Sequence, residues 1–136
     1  MGSIHFTAQL DVSADVAWDY LDKFTRAEVL PFAHCVSGRM EGEYRVIGLA
    51  DGSEVWERNV AADPARRRTT YTLDQTYGGD YHHAEMRVDA APDGTATLTW
   101  VTDCLPHSLA EERADSFAAL FDQLVAAVTA HTPGDR

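Results

Sequence analysis

The chain has 136 residues, of which 45% are apolar, and this is enough for a single domain with its own core. Its formal net charge of −11 argues against a nucleic-acid partner, because phosphate binding needs a basic surface. No apolar run is long enough for a membrane span, and no secretory signal is apparent. Two cysteines, Cys35 and Cys104, then predict reduced thiols in a cytoplasmic protein.

The N-terminal part of the sequence predicts one strand followed by two short helices. Residues 4–12 alternate between apolar and polar side chains, as a half-buried strand does. Ser13 is a good N-cap for a helix with an apolar stripe. Thr25-Arg26-Ala27-Glu28 then fits a capping box, which predicts a second short helix that Pro31 ends.

From Cys35 onward the pattern changes to short strands separated by turn signals. The clearest turn is Asp51-Gly52, which is typical of a β-hairpin. Such short links predict an antiparallel meander. Apart from the strand that begins near Cys35, the predicted strands cover residues 44–50, 54–61, 67–74, 81–91 and 95–105.

The C-terminal part predicts a long helix that lies across the sheet. Ser108-Leu109-Ala110-Glu111 fits a capping box, and apolar residues recur at helical spacing until about Ala130. Such a helix is about 35 Å long at 1.5 Å per residue. Residues 132–136 are expected to be a flexible tail, which leaves residues 1–131 as one domain. The predicted fold is α+β, a helix-grip fold in which a curved seven-stranded antiparallel sheet wraps around the C-terminal helix and encloses a cavity.

Three segments of the sequence carry a resemblance to a known family. They are VSADVAWDYLDKF, GEYRVIGLADGSEVWERNVAADPARRRTTYTL and DYHHAEMRVDAAPDGTATLTW. In order and spacing they resemble the START-like or Bet v 1-like (SRPBCC) superfamily, in particular its small bacterial polyketide cyclase/dehydrase branch. The resemblance implies a helix-grip fold with a ligand cavity. It does not imply one activity, because the fold hosts cyclases, lipid carriers and hormone receptors.

The sequence departs from that resemblance at two places. Many relatives have Trp-x-Pro after the second helix, where this chain has Pro31-Phe32-Ala33-His34. The pocket entrance is therefore expected to have a different shape. Asn59 stands where relatives often have an aliphatic residue, which predicts a more polar pocket.

Four polar residues share the parity of the apolar, inward face of their strands. They are Arg45, Glu57, Asn59 and His82. Since a polar group buried without a partner costs a few kcal/mol, a sheet face with several such residues is expected to line a pocket. On residues 54–61 the parity is open, and in the alternative Glu57 and Asn59 point outward while Arg58 enters the site.

Arg45 and Glu57 flank the Asp51-Gly52 turn almost symmetrically and are expected to be cross-strand neighbours. As a pair in a cavity, the guanidinium would keep the carboxylate ionised and could bind a carbonyl or enolate oxygen. The alternative is a structural ion pair that only sets strand register.

His82 is the best candidate for a general base, because the ordinary pKa of histidine lies near 6.5. Tyr71 and Trp100 are placed to stack on a flat ligand, with Met86 on the same inward face as His82. His34 is expected at the rim of the opening. Each has a structural alternative: a satisfied core histidine, plain core aromatics or an ordinary surface residue.

Neither a metal nor a nucleotide cofactor is expected. The histidines and cysteines lack ligand spacing, no Gly-rich phosphate loop is present, and neither cysteine is placed as a nucleophile. The leading hypothesis is a cofactor-independent cyclase, dehydratase or isomerase acting on a hydrophobic polyketide-like molecule, with His82 moving a proton and Arg45 stabilising enolate charge. One alternative is a carrier or sensor of an apolar ligand. Another is an interaction protein, which a cavity below about 300 Å³ would favour. Whether the chain is a monomer or a homodimer is left open.

Overall fold

The computed structural model describes residues 2–74 and 79–133, which form seven strands and two helices. In chain order these are β1 Gly2–Leu10, α1 Ala14–Thr25, β2 Cys35–Glu41, β3 Tyr44–Leu49, β4 Glu54–Asp63, β5 Arg68–Leu73, β6 Tyr81–Ala90, β7 Ala96–Leu105 and α2 His107–Ala130.

The seven strands form one antiparallel sheet in the order β1-β7-β6-β5-β4-β3-β2. Strands β2 to β7 follow one another as the predicted meander, and β1 pairs with β7 along its full length, from Gly2 opposite Cys104 to Leu10 opposite Ala96. On β6 the alternation is as expected, with Ala84, Met86 and Val88 buried. The α+β helix-grip fold is therefore confirmed.

The long helix covers one half of the sheet. Helix α2 packs mainly on β1 and β7, whereas α1 packs on β4 to β7 and touches α2. The main core lies between these layers, where Leu21, Leu98 and Leu124 are fully buried. Because α2 does not pack on β3 to β5, space remains between that half of the sheet and the helix.

The second short helix expected after β1 is absent from the described residues. Thr25 is the last residue of α1, and Ala27 adopts a left-handed backbone conformation with φ of 57°. The Ala27 amide donates to the Phe24 carbonyl at 3.1 Å and the Glu28 amide to the Lys23 carbonyl at 3.0 Å. This is a Schellman motif, so the segment that fits a capping box ends α1 and does not begin a new helix.

The N-terminus of α2 also differs from the prediction. Helix α2 begins at His107 with Pro106 as its N-cap, and no side chain caps it. The predicted capping serine, Ser108, lies inside the first turn. In contrast, Ser13 caps α1 as expected and accepts from the Val16 amide at 3.2 Å. Of the expected flexible tail, residues 134–136 lie outside the described residues.

Candidate functional site

A pocket of about 260 Å³ lies between β3 to β7, the N-terminal half of α2 and the loop that joins α1 to β2. Its volume is below the 300 Å³ that marks the lower end of ordinary ligand pockets, which is the outcome expected to favour an interaction protein, and any ligand that the pocket holds must be compact. Most of the lining is apolar. Among the described residues, the polar side chains that line it are His34, Cys35, Arg45, Glu57, Tyr71, His82, Arg113 and Ser116.

Arg45 is the most buried charged residue at this site, with 1% of its surface exposed. Its guanidinium carbon lies 3.8 Å from the centre of the Phe24 ring and 4.8 Å from that of Tyr71, and both are cation–π contacts. Nη1 donates to the Phe24 carbonyl at 3.2 Å, at the C-terminus of α1. A cation is favourable there because it meets the negative end of the helix dipole.

Glu57 faces Arg45 across the β3–β4 pair, as the symmetry about the hairpin turn predicts. Its Oε1 lies 2.5 Å from Arg45 Nη2, and 17% of its side chain is exposed. Burial raises the pKa of the Glu57 carboxyl, while the positive charge of Arg45 opposes that rise. The parity of β4 is therefore inward at Glu57, and the Arg58 side chain, 54% exposed, pairs with Glu43 outside the pocket.

Asn59 has the inward parity but does not line the pocket. Its Nδ2 donates to the carbonyl of Thr25 at 2.8 Å, so the amide binds the C-terminal end of α1. Arg45 and Asn59 thus hold two consecutive carbonyls of the helix end. The expectation that Asn59 contacts substrate is corrected, because its amide binds the helix end and the residue is not part of the pocket lining.

His82 lines the pocket from β6 and is 5% exposed. Burial lowers the pKa of its imidazole to about 4, and the positive charge of Arg113 contributes. The ring is therefore neutral at pH 7. Its Nδ1 has no hydrogen-bond partner among the described residues.

The aromatic part of the pocket is built around Trp100. Its indole is stacked between Phe32 of the loop, at 5.7 Å, and Phe117 of α2, at 5.5 Å between ring centroids. Tyr71 lies on the other side of His82, with ring centroids 6.1 Å apart, and burial raises the pKa of its hydroxyl. Both Tyr71 and Trp100 line the pocket, as the sequence predicts.

The structure separates the two remaining candidates. His34 lines the mouth of the pocket, is exposed and stacks on Phe32 at 6.2 Å, in agreement with its expected place at the rim. Met86 is fully buried in the main core and does not line the pocket. On β6, Met86 lies four residues after His82 and pairs with Trp100 of β7. Its expected contact with substrate is therefore corrected to a packing role.

Sequence reasoning missed the polar residues that α2 and the loop contribute. Arg113 and Ser116 line the pocket from α2, and Cys35 lines it from the start of β2, where burial raises the pKa of its thiol to about 11. A signal was available for the helix, because Arg113 precedes Phe117 by four residues and lies on the same face. The loop is held to α2 by the Gln123 side chain, which accepts from the Ala33 amide at 2.7 Å.

Several buried polar atoms near the pocket have no hydrogen-bond partner among the described residues. These atoms are Arg45 Nε and Nη2, Asn59 Oδ1, His82 Nδ1 and Trp100 Nε1, although Arg45 Nη2 forms the ion pair with Glu57. No group of three or more residues capable of holding a metal ion is found in the described ranges. In the same part of the chain, no helix is long and apolar enough to cross a membrane.

The fold and the pocket together define a helix-grip protein, in which a sheet, a loop and the C-terminal helix surround a small, mostly apolar site. The chain belongs to the family described as polyketide cyclase/dehydrase and lipid transport, whose model matches residues 1–130. No curated protein matches the sequence.

Solved structures of similar fold have low sequence identity. The Bacillus cereus protein XoxI is 18% identical with a TM-score of 0.78, over 95% of this chain and 94% of its own. A putative uncharacterized protein from Bacillus thuringiensis is 16% identical with a TM-score of 0.77, over 94% and 96%. Norcoclaurine synthase from Thalictrum flavum is 16% identical with a TM-score of 0.70, over 96% and 87%. These similarities establish the shared fold.

Proposed function

We propose that the protein is a cofactor-independent cyclase, dehydratase or isomerase whose substrate is a compact, hydrophobic, polyketide-like molecule held in the pocket. The observation that carries the proposal is the buried Arg45–Glu57 pair in the same pocket as His82, whose Nδ1 has no partner among the described residues. A pocket that served only to hold an apolar molecule would not need three polar groups of this kind, each of which costs free energy to bury.

The pKa shifts assign different roles to the two acid–base groups. His82, with a pKa of about 4, is a weak base at neutral pH, and its neutral ring suits hydrogen bonding to a substrate oxygen. Glu57, whose pKa is raised, is a stronger base than an ordinary carboxylate. Glu57 therefore replaces His82 as the group that removes a proton from a carbon next to a carbonyl.

The electron pair left on that carbon moves into the carbonyl to form an enolate. The guanidinium of Arg45, whose Nε has no hydrogen-bond partner among the described residues, stabilises the negative oxygen. Attack of the enolate carbon on a second carbonyl closes a ring and leaves an alkoxide, which takes the proton held by Glu57 and becomes a hydroxyl. In a dehydratase, Glu57 then removes a second proton from the carbon next to the carbonyl, and the hydroxyl leaves with that proton as water while a carbon–carbon double bond forms. The aromatic stack of Phe32, Trp100 and Phe117 holds the chain in the folded geometry that ring closure requires.

Two comparisons support a catalytic use of this pocket. The family description includes cyclases and dehydrases. In addition, norcoclaurine synthase, which shares the fold, was solved in complex with dopamine and hydroxybenzaldehyde, each a single-ring molecule. This second argument is an analogy at the level of fold, and it agrees with the small volume of the pocket.

The second candidate is a carrier that binds an apolar molecule without changing it. The same family description includes lipid transport, and the mostly apolar lining suits this role. The two functions differ in what happens to the bound molecule.

Native mass spectrometry of the protein after exposure to a small-molecule extract of its source organism separates these functions. A catalyst retains a molecule whose free pool is converted to an isomer or a dehydrated product, and Glu57→Gln should bind that molecule but slow its conversion about a hundredfold or more. Glu43→Gln, a change in the exposed pair with Arg58, is the control and should convert normally. A retained but unchanged molecule would establish the carrier, and no retained molecule would contradict both functions.

A further inference from the structure

Most of the buried polar atoms that line this pocket and lack a hydrogen-bond partner among the described residues are donors. Arg45 Nε and Trp100 Nε1 carry hydrogens and cannot accept, while His82 Nδ1 can do either. Arg45 Nη2 is already paired with the Glu57 carboxylate. All three side chains line the pocket and are at least nine-tenths buried. A ligand that satisfies them must therefore present acceptor oxygens.

The charge of the lining agrees with this donor excess. Among the described residues that line the pocket, Arg45 and Arg113 are cations and Glu57 is the one carboxylate. The whole chain has the opposite balance, with 22 acidic residues against 11 basic ones. A cationic lining in so acidic a protein indicates that the pocket is complementary to a negative charge.

The positive potential reaches across the site. Arg113 on α2 contributes to the lowered pKa of His82, so its charge acts on the pocket side of β6. Arg45 lies further along the sheet, beyond Tyr71, whose ring contacts both the guanidinium of Arg45 and His82. The polar groups thus form a continuous row from Arg45 through Tyr71 and His82 toward Arg113.

We infer that the ligand of this pocket is an anion with an aromatic body, specifically an aryl carboxylate. Its carboxylate accepts from the row of donors and its ring stacks beside Trp100, Phe32 and Phe117. This inference rests on the proposed function and adds the chemical class of the substrate.

The inference is tested with two probes of equal size, 2-naphthoate and its neutral amide, 2-naphthamide. Isothermal titration calorimetry at pH 7.5 measures both affinities, and quenching of tryptophan fluorescence reports binding beside Trp100. We expect 2-naphthoate to bind about tenfold or more tightly than 2-naphthamide, because hydrogen bonds to a charged group are stronger than those between neutral groups.

Arg113→Gln should reduce this preference to about threefold or less while leaving the affinity for 2-naphthamide unchanged. Arg58→Gln, which removes an exposed arginine outside the pocket, is the matched control and should keep the full preference. Thermal unfolding of each variant establishes that it is folded at the temperature of the titration.

The outcomes separate this inference from the proposed function. If 2-naphthamide binds as tightly as 2-naphthoate, the anionic ligand is wrong, and the pocket still stands as a small-molecule site. If the preference is present but Arg58→Gln abolishes it as well, it arises from the overall field and the inference is wrong. If neither probe binds, the inference is wrong, and the proposed function still depends on the outcome of its own test with the extract.

Discussion

Arg45 and Glu57 lie directly opposite each other on β3 and β4, with Arg45 Nη2 2.5 Å from Glu57 Oε1. The same guanidinium donates to the Phe24 carbonyl and lies over the Phe24 ring, so one side chain joins the sheet, the end of α1 and the pocket. The pair is therefore part of the structure as well as of the candidate site, and its two contributions need separate measurements.

Removing the arginine of this pair should lower the stability of the fold. Arg45→Met leaves the enclosed Glu57 carboxylate without its cation, and we expect the free energy of unfolding to fall by about 3–5 kcal/mol. Removing both charges in Arg45→Met/Glu57→Leu should cost less than the sum of the single changes, since no unpaired charge remains. Urea unfolding of the four proteins in this double-mutant cycle gives a coupling energy, expected at about 1–3 kcal/mol.

The exposed pair of Arg58 and Glu43 provides the comparison for this cycle. Both side chains are 54% exposed, and a solvated pair of this kind contributes about 1 kcal/mol or less. A coupling energy for Arg45 and Glu57 no larger than that of the surface pair would contradict the interpretation of a strong buried interaction.

The sheet could be predicted from sequence because its signals are local and repeated. Alternation along residues 81–91 and turn residues such as Asp51-Gly52 define strands without any knowledge of distant contacts. The prediction of a second short helix was wrong because the same four residues, Thr25 to Glu28, fit two local motifs. A capping box begins a helix, whereas a Schellman motif ends one. Here the amides of Ala27 and Glu28 bond to carbonyls of the preceding helix, so the Schellman motif forms.

The backbone conformation of Ala27 at this helix end leads to a further prediction. Ala27 holds a left-handed φ of 57°, a conformation that costs a residue with a Cβ atom about 1 kcal/mol and glycine almost nothing. We expect Ala27→Gly to raise the free energy of unfolding by about 0.5 kcal/mol, after allowing for the greater freedom of glycine in the unfolded chain. Chemical unfolding at equilibrium measures this change.

Ala126→Gly is the matched control, because Ala126 is an exposed residue within α2. The same substitution there should lower stability by about 1 kcal/mol, as glycine does inside a helix. Equal destabilisation at both positions would mean that the backbone at Ala27 is not strained.

A further contact joins the C-terminal end of α2 to the middle of α1. His131, just after α2, lies 2.6 Å from Asp19 of α1 through Nε2 and Oδ2, and Lys23 approaches the same carboxylate at 2.8 Å. These hydrogen bonds lower the pKa of Asp19, so their contribution is present above 3.8, the ordinary value, and is lost as the pH falls below it. At pH 7 we expect Asp19→Asn to reduce stability by up to about 1 kcal/mol, since the side chain is about one third exposed.

Asp122→Asn, which changes an exposed carboxylate on α2, should have a smaller effect at the same pH. Thermal unfolding at pH 7 and pH 3 compares the variants with the parent chain. If the deficit of Asp19→Asn were as large at pH 3 as at pH 7, the ionised carboxylate would not be its cause.

The candidate site was only partly predictable from sequence, and the reason is geometric. Strand parity shows which face a residue occupies, so His82 could be assigned to the inward face, whereas the parity of residues 54–61 left Glu57 open between the two faces. Parity does not show what lies above that face. Asn59 meets the end of α1 and Met86 meets the core, whereas Arg113 approaches the pocket from a helix 24 residues long. The placements of Asn59 and Met86 depend on how the layers pack, which no local pattern records.

His82 should make the stability of the fold depend on pH. Its pKa is 6.5 in the unfolded chain and about 4 when folded, so the unfolded state binds more protons between these values. Stability due to the neutral, buried ring is therefore fully present above pH 6.5 and is lost as the pH falls toward 4. By pH 5 this loss should be about 2 kcal/mol, and its full extent about 3 kcal/mol.

Urea unfolding at pH 7.5, 6.0 and 5.0 measures this loss, and His82→Gln isolates it. The variant keeps a polar side chain of similar length but cannot take up a proton in this range, so its stability should fall less steeply than that of the parent chain. His5→Gln, in an exposed position on β1, should follow the parent chain at every pH. Because changes in the carboxylates are common to all three proteins, parallel curves for the parent and His82→Gln could only mean that the pocket does not keep this imidazole neutral.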